Sequence, residues 1–233
     1  RDATGGSIYT NEEKQKIERD LLLESTFLLV ADEAINNKSV SNHSAAALVG
    51  MCVGNPELVR FGLNSFNKTV DGWYLADGTT SESPFYGLMT LGGIWDMAQA
   101  SRGYSDPAGH TDSNGQRIDS LDLYHDTNYG NVLDAFFKGL QGDLYFPPYA
   151  DSFLNTSLDV SYIELMAANY PERIQYLSLL KELCGNNLSA HSGSVVDAHT
   201  KVAETDDEPV LILPYDLTKP YGYSSFSFYY RKP

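Results

Sequence analysis

The chain has 233 residues, of which 42% are hydrophobic and 20% are charged, so its composition is that of a globular protein with a sizeable core. Its formal net charge of -15 at pH 7 argues against nucleic acid and against anionic membrane surfaces as partners, because like charges repel at long range. The sequence also lacks the run of roughly 20 apolar residues that a membrane-spanning helix requires.

Most of the first 190 residues carry helical patterns. The clearest begins with a capping box formed by Thr10 and Glu13, after which apolar residues recur at three- and four-residue spacing to about Asn36. Further helices are predicted over residues 42–53, 56–66, 84–100, 124–140, 160–169 and 171–184. Gly54 and Asn55 join the first two of these so closely that we expect a helical hairpin.

Three segments between the helices are predicted to be loops: 71–80, 102–121 and 141–152. The first contains Trp73 and Tyr74, both expected to be exposed, and is followed by Ser83 and Pro84, which are typical of a helix start. The second is polar and rich in glycine, and loops of this length are uncommon unless they cover a site. The third contains two adjacent prolines and therefore cannot be helical.

Strand patterns follow the helical region, at Val210–Leu213 and Ser224–Tyr230. The order of helices first and strands last predicts a mainly α fold of paired antiparallel helices, followed by the start of a C-terminal β domain. We place the helical part at residues 1–190. Residues 191–233 are then a linker and the first strands of a β-sandwich-like domain.

Asn-x-Ser/Thr sequons are frequent, which favours a secreted, extracellular glycoprotein. They are at Asn37, Asn42, Asn67, Asn155 and Asn187. The cysteines Cys52 and Cys184 are far apart in the sequence and form either one long-range disulfide or two buried thiols. Because Cys52 lies on an apolar helix face, we favour buried thiols.

An amide, an imidazole and a phenol stand near the starts of two predicted helices, as Asn42, His43 and Tyr86. Together such groups can remove a proton next to a carboxylate and protonate a leaving oxygen. Each also has a structural interpretation: Asn42 as a helix cap or glycan acceptor, His43 as an ordinary helix residue, and Tyr86 as a core or surface residue.

Four segments, SNHSAAALVG, GNPELVRFGL, LADGTTSESPFYGLMTLGGI and LYFPPYADS, occur in an order that resembles the α/α-toroid polysaccharide lyases of the heparinase II/III and alginate lyase type. The resemblance covers about residues 10–184. It implies an incomplete α/α toroid in which Asn42 stabilises the charge developing on a substrate carboxylate, His43 is the base and Tyr86 donates a proton to the glycosidic oxygen, or serves as both base and acid.

The chain departs from that family in two respects. It holds about half a toroid and the first strands of a sheet, so we expect it to be part of a longer polypeptide or a processed piece of one. The family also implies basic residues along the cleft, and here the candidates are few: Arg60, Arg102, Arg117, Lys138 and Arg173.

Substrate-binding residues are predicted from the same loops and helix starts. Aromatic side chains for sugar stacking are Trp73, Tyr74 and Tyr149, and polar candidates are Glu82, Arg102, His125 and Asp151. Glu82 has a second interpretation, as a first-turn charge that complements the helix dipole. The histidines lack the spacing of metal ligands, so neither a metal nor another cofactor is predicted.

Two functions follow from these observations. The first is a secreted lyase that cleaves uronate-containing, acidic polysaccharide by β-elimination. The second is a glycosylated structural or carbohydrate-binding protein that keeps the same scaffold without turnover, because a fold does not determine an activity. The net charge of -15 counts against an acidic substrate and favours the second function.

Overall fold

The structure is a computed structural model that describes residues 6–183, without the side chain of Glu182. The predicted strands, the boundary at residue 190, Asn187 and Cys184 all lie outside this range. The described part is mainly helical, and its β pairings are isolated bridges. The α-helices are α1 (Asn11–Lys16), α2 (Glu24–Leu29), α3 (Ser39–Val53), α4 (Pro56–Lys68), α5 (Pro84–Ala100), α6 (Tyr129–Gly139), α7 (Val160–Asn169) and α8 (Ile174–Leu183).

Helix α1 starts at the predicted capping box, in which Thr10 and Glu13 exchange side-chain and backbone hydrogen bonds. A π-helical segment, Ile17–Leu23, connects it to α2. The helical stretch ends at Leu29 and does not reach Asn36 as predicted. Asx turns replace the last helical turns, because the side chain of Asp32 accepts from Ala34 N and that of Asn36 accepts from Lys38 N.

Helices α3 and α4 form the predicted hairpin. Gly54 takes a left-handed conformation with φ of 71° after α3, and the Asn55 side chain accepts from the backbone N–H groups of Glu57 and Leu58 at the start of α4. A Cβ built on Gly62 would lie 2.5 Å from Ala47 Cβ, so the two helices approach as closely as their small residues allow.

The chain folds into two compact units that are interleaved in sequence. The first contains residues 6–69 and 92–122, and the second contains 70–91 and 123–183. Helix α5 therefore gives its residues up to 91 to the second unit and those from 92 to the first. Each unit has its own buried apolar residues, among them Val40, Val59 and Met97 in the first and Leu133, Phe136 and Ile163 in the second.

Buried tyrosines characterise the second unit, and several of their hydroxyl groups donate hydrogen bonds within it. The Tyr74 hydroxyl donates to Gly87 O at 2.7 Å, and the Tyr170 hydroxyl donates to Tyr124 O at 2.6 Å. Tyr74 is fully buried, so the prediction that it is exposed was wrong. Its ring packs edge-on against Phe136, which belongs to a segment distant in sequence.

Other sequence predictions needed smaller corrections. Helix α6 begins at Tyr129 rather than at residue 124, because the Thr127 side chain accepts from Tyr129 N and donates to Leu123 O, which makes a local turn. Helix α8 begins at Ile174 rather than at residue 171. Cys52 is exposed, so the prediction of a buried thiol was wrong for this residue.

The predicted long loop at 102–121 is held to α4 by an ion pair in the first unit. The buried Asp106 carboxylate accepts hydrogen bonds from both Nη atoms of Arg60, at 2.9 and 2.5 Å, and from Ile118 N at 2.7 Å. Arg117 donates to the carbonyl oxygens of Asp106 and Pro107. Two of the few candidate cleft cations therefore hold this loop in place.

Asp106 makes stability dependent on pH. The Arg60 guanidinium, followed by Ile118 N–H, holds the pKa of the Asp106 carboxyl below its ordinary value of 3.8. Because the folded-state pKa is depressed, the ion pair contributes its full stability above pH 3.8 and loses it as the pH falls through the lower folded-state value.

We expect the difference in thermal midpoint between the wild type and Asp106→Asn to be large above pH 3.8 and to shrink below it. Circular dichroism melts of both proteins over this range measure the difference. A difference that stays constant with pH contradicts the assignment of this carboxylate.

Candidate functional site

His43 lies in the wall of a small cavity in the first unit. The cavity has a volume of about 120 Å³. It is lined by Glu33, Ile35, His43, Phe61, Asn64, Ser65 and Lys68. The lining therefore combines an imidazole, a hydroxyl, an amide and charged groups of both signs around a space the size of a small ligand group.

The hydrogen bonds of His43 determine its tautomer. Its side chain is buried on α3, with Nε2 2.5 Å from Asp32 O and Nδ1 2.6 Å from Ser65 Oγ. A carbonyl oxygen can only accept, so Nε2 carries the hydrogen. In the neutral ring, Nδ1 then holds the lone pair and accepts from the Ser65 hydroxyl. The basic nitrogen of His43 thus points at a cavity-lining hydroxyl.

The segment between α2 and α3 presents the carbonyl that orients His43. The Asp32 carboxylate accepts from the Ser39 hydroxyl at 2.6 Å and from Ala34 N at 2.9 Å. The Ser39 hydroxyl, followed by Ala34 N–H, lowers the pKa of Asp32. These bonds tie both ends of the turn together and so hold the Asp32 carbonyl against the imidazole.

The Ser65 hydroxyl occupies the lone pair of His43 Nδ1, so it controls how a proton from a molecule in the cavity reaches that nitrogen. Either the hydroxyl rotates away and Nδ1 takes the proton directly, or Ser65 Oγ takes it and passes its own proton to Nδ1. Sequence reasoning missed Ser65 as well as Asn64 and Lys68. The signal was present, because residues 61, 64, 65 and 68 have the i, i+3, i+4, i+7 spacing of one helix face.

Asn42 is inside α3, three residues after its start, and its side chain is exposed. It is not a lining residue of the cavity and does not cap the helix. The first-turn amides of Lys38 and Ser39 instead bond to the Asn36 side chain. The helix-cap interpretation of Asn42 is therefore wrong, and its exposure is compatible with either of the remaining roles.

Tyr86 belongs to the second unit, in the first turn of α5, and is half-buried. Its backbone N–H donates to Ser83 Oγ at 3.3 Å, which agrees with the predicted capping role of Ser83. The Ser83 hydroxyl in turn donates to Asp151 O at 3.1 Å. The structure thus brings together two of the four segments of the family resemblance, the helix start at SESPFY and the loop LYFPPYADS.

The other predicted binding residues differ in their exposure. Glu82, Arg102, His125 and Asp151 are exposed, and His125 Nε2 lies 3.1 Å from Asn169 O. Tyr149 is 50% exposed, and partial burial raises its pKa. Tyr74 cannot stack on a sugar while it is buried, which corrects that prediction. Trp73 packs edge-on against it, with ring centroids 4.8 Å apart.

A larger open groove lies in the second unit, with a volume of about 520 Å³. It is lined by Phe85, Leu88, Met89, Phe153, Asn155, Thr156, Ser157, Asp159 and Tyr162. The rings of Phe85 and Phe153 meet edge-to-face, with centroids 4.8 Å apart. The sequence singled out only one of these residues, Asn155, as a glycan acceptor. It did not predict the groove, because the groove is formed by segments about 70 residues apart.

No family model, curated protein or solved structure matches this chain. Within residues 6–183, His, Cys, Asp and Glu side chains do not gather in any group of three or more that is suited to bind a metal ion. In the same range no helix combines the length and apolar character needed to cross a membrane.

Proposed function

We propose that this chain is part of a polysaccharide lyase that cleaves uronate-containing polysaccharide by β-elimination, on an incomplete α/α toroid followed by a β domain. The observation that carries the proposal is the position of His43 at the wall of a cavity that Lys68 and Asn64 also line. The ordered resemblance of the four sequence segments, the first of which contains His43, also supports it.

The reaction needs what these side chains offer. The C5–H bond of a uronate breaks only when its carboxylate is neutralised, and the cavity-lining residues Lys68 and Asn64 offer a cation and an amide for this purpose. The family resemblance gives the same role to Asn42, which lies outside the cavity lining. His43 takes the proton at Nδ1, by way of the Ser65 hydroxyl. The C4–O bond then breaks, a C4=C5 double bond forms, and the leaving glycosidic oxygen takes up a proton, a role that the family resemblance gives to Tyr86.

A second candidate function is a secreted, glycosylated carbohydrate-binding protein without turnover. Two observations favour it. Both ring nitrogens of the buried His43 are engaged in hydrogen bonds, as in a purely structural histidine. The groove of the second unit is lined by apolar and polar side chains, with Asp159 as the one charged residue among them, and so suits a neutral sugar better than a uronate.

Incubation with alginate, glucuronan and glycosaminoglycans, followed by ultraviolet absorbance of the unsaturated product, tests the lyase. We expect product from the wild type and a loss of about 100-fold or more in rate from Tyr86→Phe, the effect of removing a general acid. Tyr145→Phe is the matched control, because it deletes the same hydroxyl from a tyrosine that is 42% exposed in the same unit and has no predicted role in binding.

His43→Gln completes the experiment, since glutamine keeps a hydrogen-bonding side chain but cannot act as a base. Its product formation should fall as much as that of Tyr86→Phe, while circular dichroism reports that the helices are retained. If the wild type forms no product from any of these polymers, the lyase proposal fails. Retained binding of a polymer then supports the second function.

A further inference from the structure

The turn at residues 153–156 presents an acceptor asparagine at the edge of the aromatic groove. Thr156 N donates to Phe153 O at 3.1 Å and closes the turn. The Thr156 side chain reinforces it, because its hydroxyl donates to the same carbonyl at 2.9 Å and accepts from Phe153 N. Asn155 and Ser157, the first and third residues of the sequon, are both exposed.

Apolar surface lies open beside this asparagine. Phe153, two residues before Asn155, is 59% exposed, although it lines the groove with Phe85 and is in edge-to-face contact with it. A phenyl ring exposed to this extent costs free energy in water unless something covers it. The groove therefore offers exposed aromatic surface, and the acceptor side chain is one of its lining residues.

The charge of the groove selects a neutral occupant. None of its lining residues is a lysine or arginine, and one of them is the Asp159 carboxylate. That carboxylate is already used to cap α7, where it accepts from Ser161 N at 2.9 Å. An acidic saccharide finds no cation here, whereas the uncharged N-acetylhexosamine at the base of an N-linked glycan meets no repulsion.

Among the sequons in the described residues, the one at Asn155 is distinguished by its position. Asn42 and Asn67 lie inside helices α3 and α4, and Asn37 is half-buried in a turn. Asn155 is exposed and lies outside a helix, next to an exposed ring. The short tether of a first sugar on Asn155 places it within reach of Phe153, because both side chains line the same groove.

We propose that Asn155 carries an N-linked glycan whose first N-acetylglucosamine packs on Phe153 and covers the aromatic groove of the second unit. In the attachment step a bond forms between Asn155 Nδ2 and the anomeric carbon of the sugar. The bond from that carbon to the diphosphate of a lipid-linked oligosaccharide donor breaks, and the amide loses one proton. The packing is independent of whether the chain is a lyase.

The test uses the whole chain secreted from a eukaryotic cell line. Peptide mapping after treatment with peptide N-glycosidase, which converts a glycosylated asparagine to aspartate, measures occupancy at Asn155. Trimming with an endoglycosidase then leaves a single N-acetylglucosamine. We expect this form to melt about 2–4 °C above Asn155→Gln, the shift expected for one aromatic contact in a chain of this length.

Two variants show whether the gain in melting temperature comes from packing of the sugar on the Phe153 ring or from attachment of the sugar alone. Phe153→Ala should lose the gain in melting temperature on glycosylation. Leu154→Ala should keep it, since Leu154 is in the same turn and 82% exposed but does not line the groove. Asn155 without sugar, or an equal gain in Phe153→Ala, overturns the proposal.

Discussion

Replacing Arg60 by methionine is expected to lower the free energy of unfolding by about 3–5 kcal/mol, the usual result of removing one partner from a buried ion pair. The Asp106 side chain is fully buried, whereas that of Arg60 is 16% exposed. Without the guanidinium, the carboxylate keeps hydrogen bonds from Ile118 N and the Tyr104 hydroxyl, but it has lost its countercharge. Denaturant unfolding followed by circular dichroism measures the change.

The double variant Arg60→Met/Asp106→Leu is the matched control. It removes both charges and puts apolar groups of similar size in their place, so it should recover much of the stability that the single variant loses. If Arg60→Met is as stable as the wild type, the Asp106 carboxylate is not buried in solution and the ion pair does not hold the loop 102–121 to α4.

Alanine at Gly78 is expected to cost about 3 kcal/mol or more, because it combines a left-handed backbone with a direct clash. Gly78 has a φ of 84°, and a Cβ placed there would be 2.1 Å from the backbone oxygen of Asn131 in α6. The added Cβ is fixed rigidly to the backbone, and the oxygen that it meets belongs to the backbone of α6. The clash is therefore relieved only if the loop or the helix is displaced. Thermal unfolding should show a large fall in the midpoint.

Gly103→Ala isolates the conformational part of this cost. Gly103 has a similar φ of 75°, but a Cβ there would meet nothing within 4 Å. Its substitution should cost about 1–2 kcal/mol, the penalty for the left-handed region alone. Equal losses in the two variants contradict the close contact between Gly78 and α6.

Local codes in the sequence were sufficient for most helix boundaries. The capping box at Thr10, the turn at Gly54 and Asn55, and the start of α5 after Ser83 each depend on residues within one or two turns of each other. Helix α7 was predicted with its observed bounds, 160–169. Such signals are readable because the partners of the hydrogen bonds are close in sequence.

Contacts between distant segments were not readable in this way. The burial of Tyr74 depends on Gly87 and Phe136, and the orientation of His43 depends on a carbonyl 11 residues before it and a hydroxyl 22 residues after it. The residues proposed as catalytic were therefore named from the sequence, whereas the cavity beside His43 required the structure. The groove beside Phe153 was missed for the same reason.

The close contact between α3 and α4 restricts which positions around the cavity beside His43 tolerate substitution. Ala47 and Gly62 leave no space for a larger side chain, and Ser65 is committed to the imidazole. Asn64 and Lys68, in contrast, are exposed on the same face of α4. Substitution at these two positions can therefore change the lining of the cavity while the contact between the two helices stays intact.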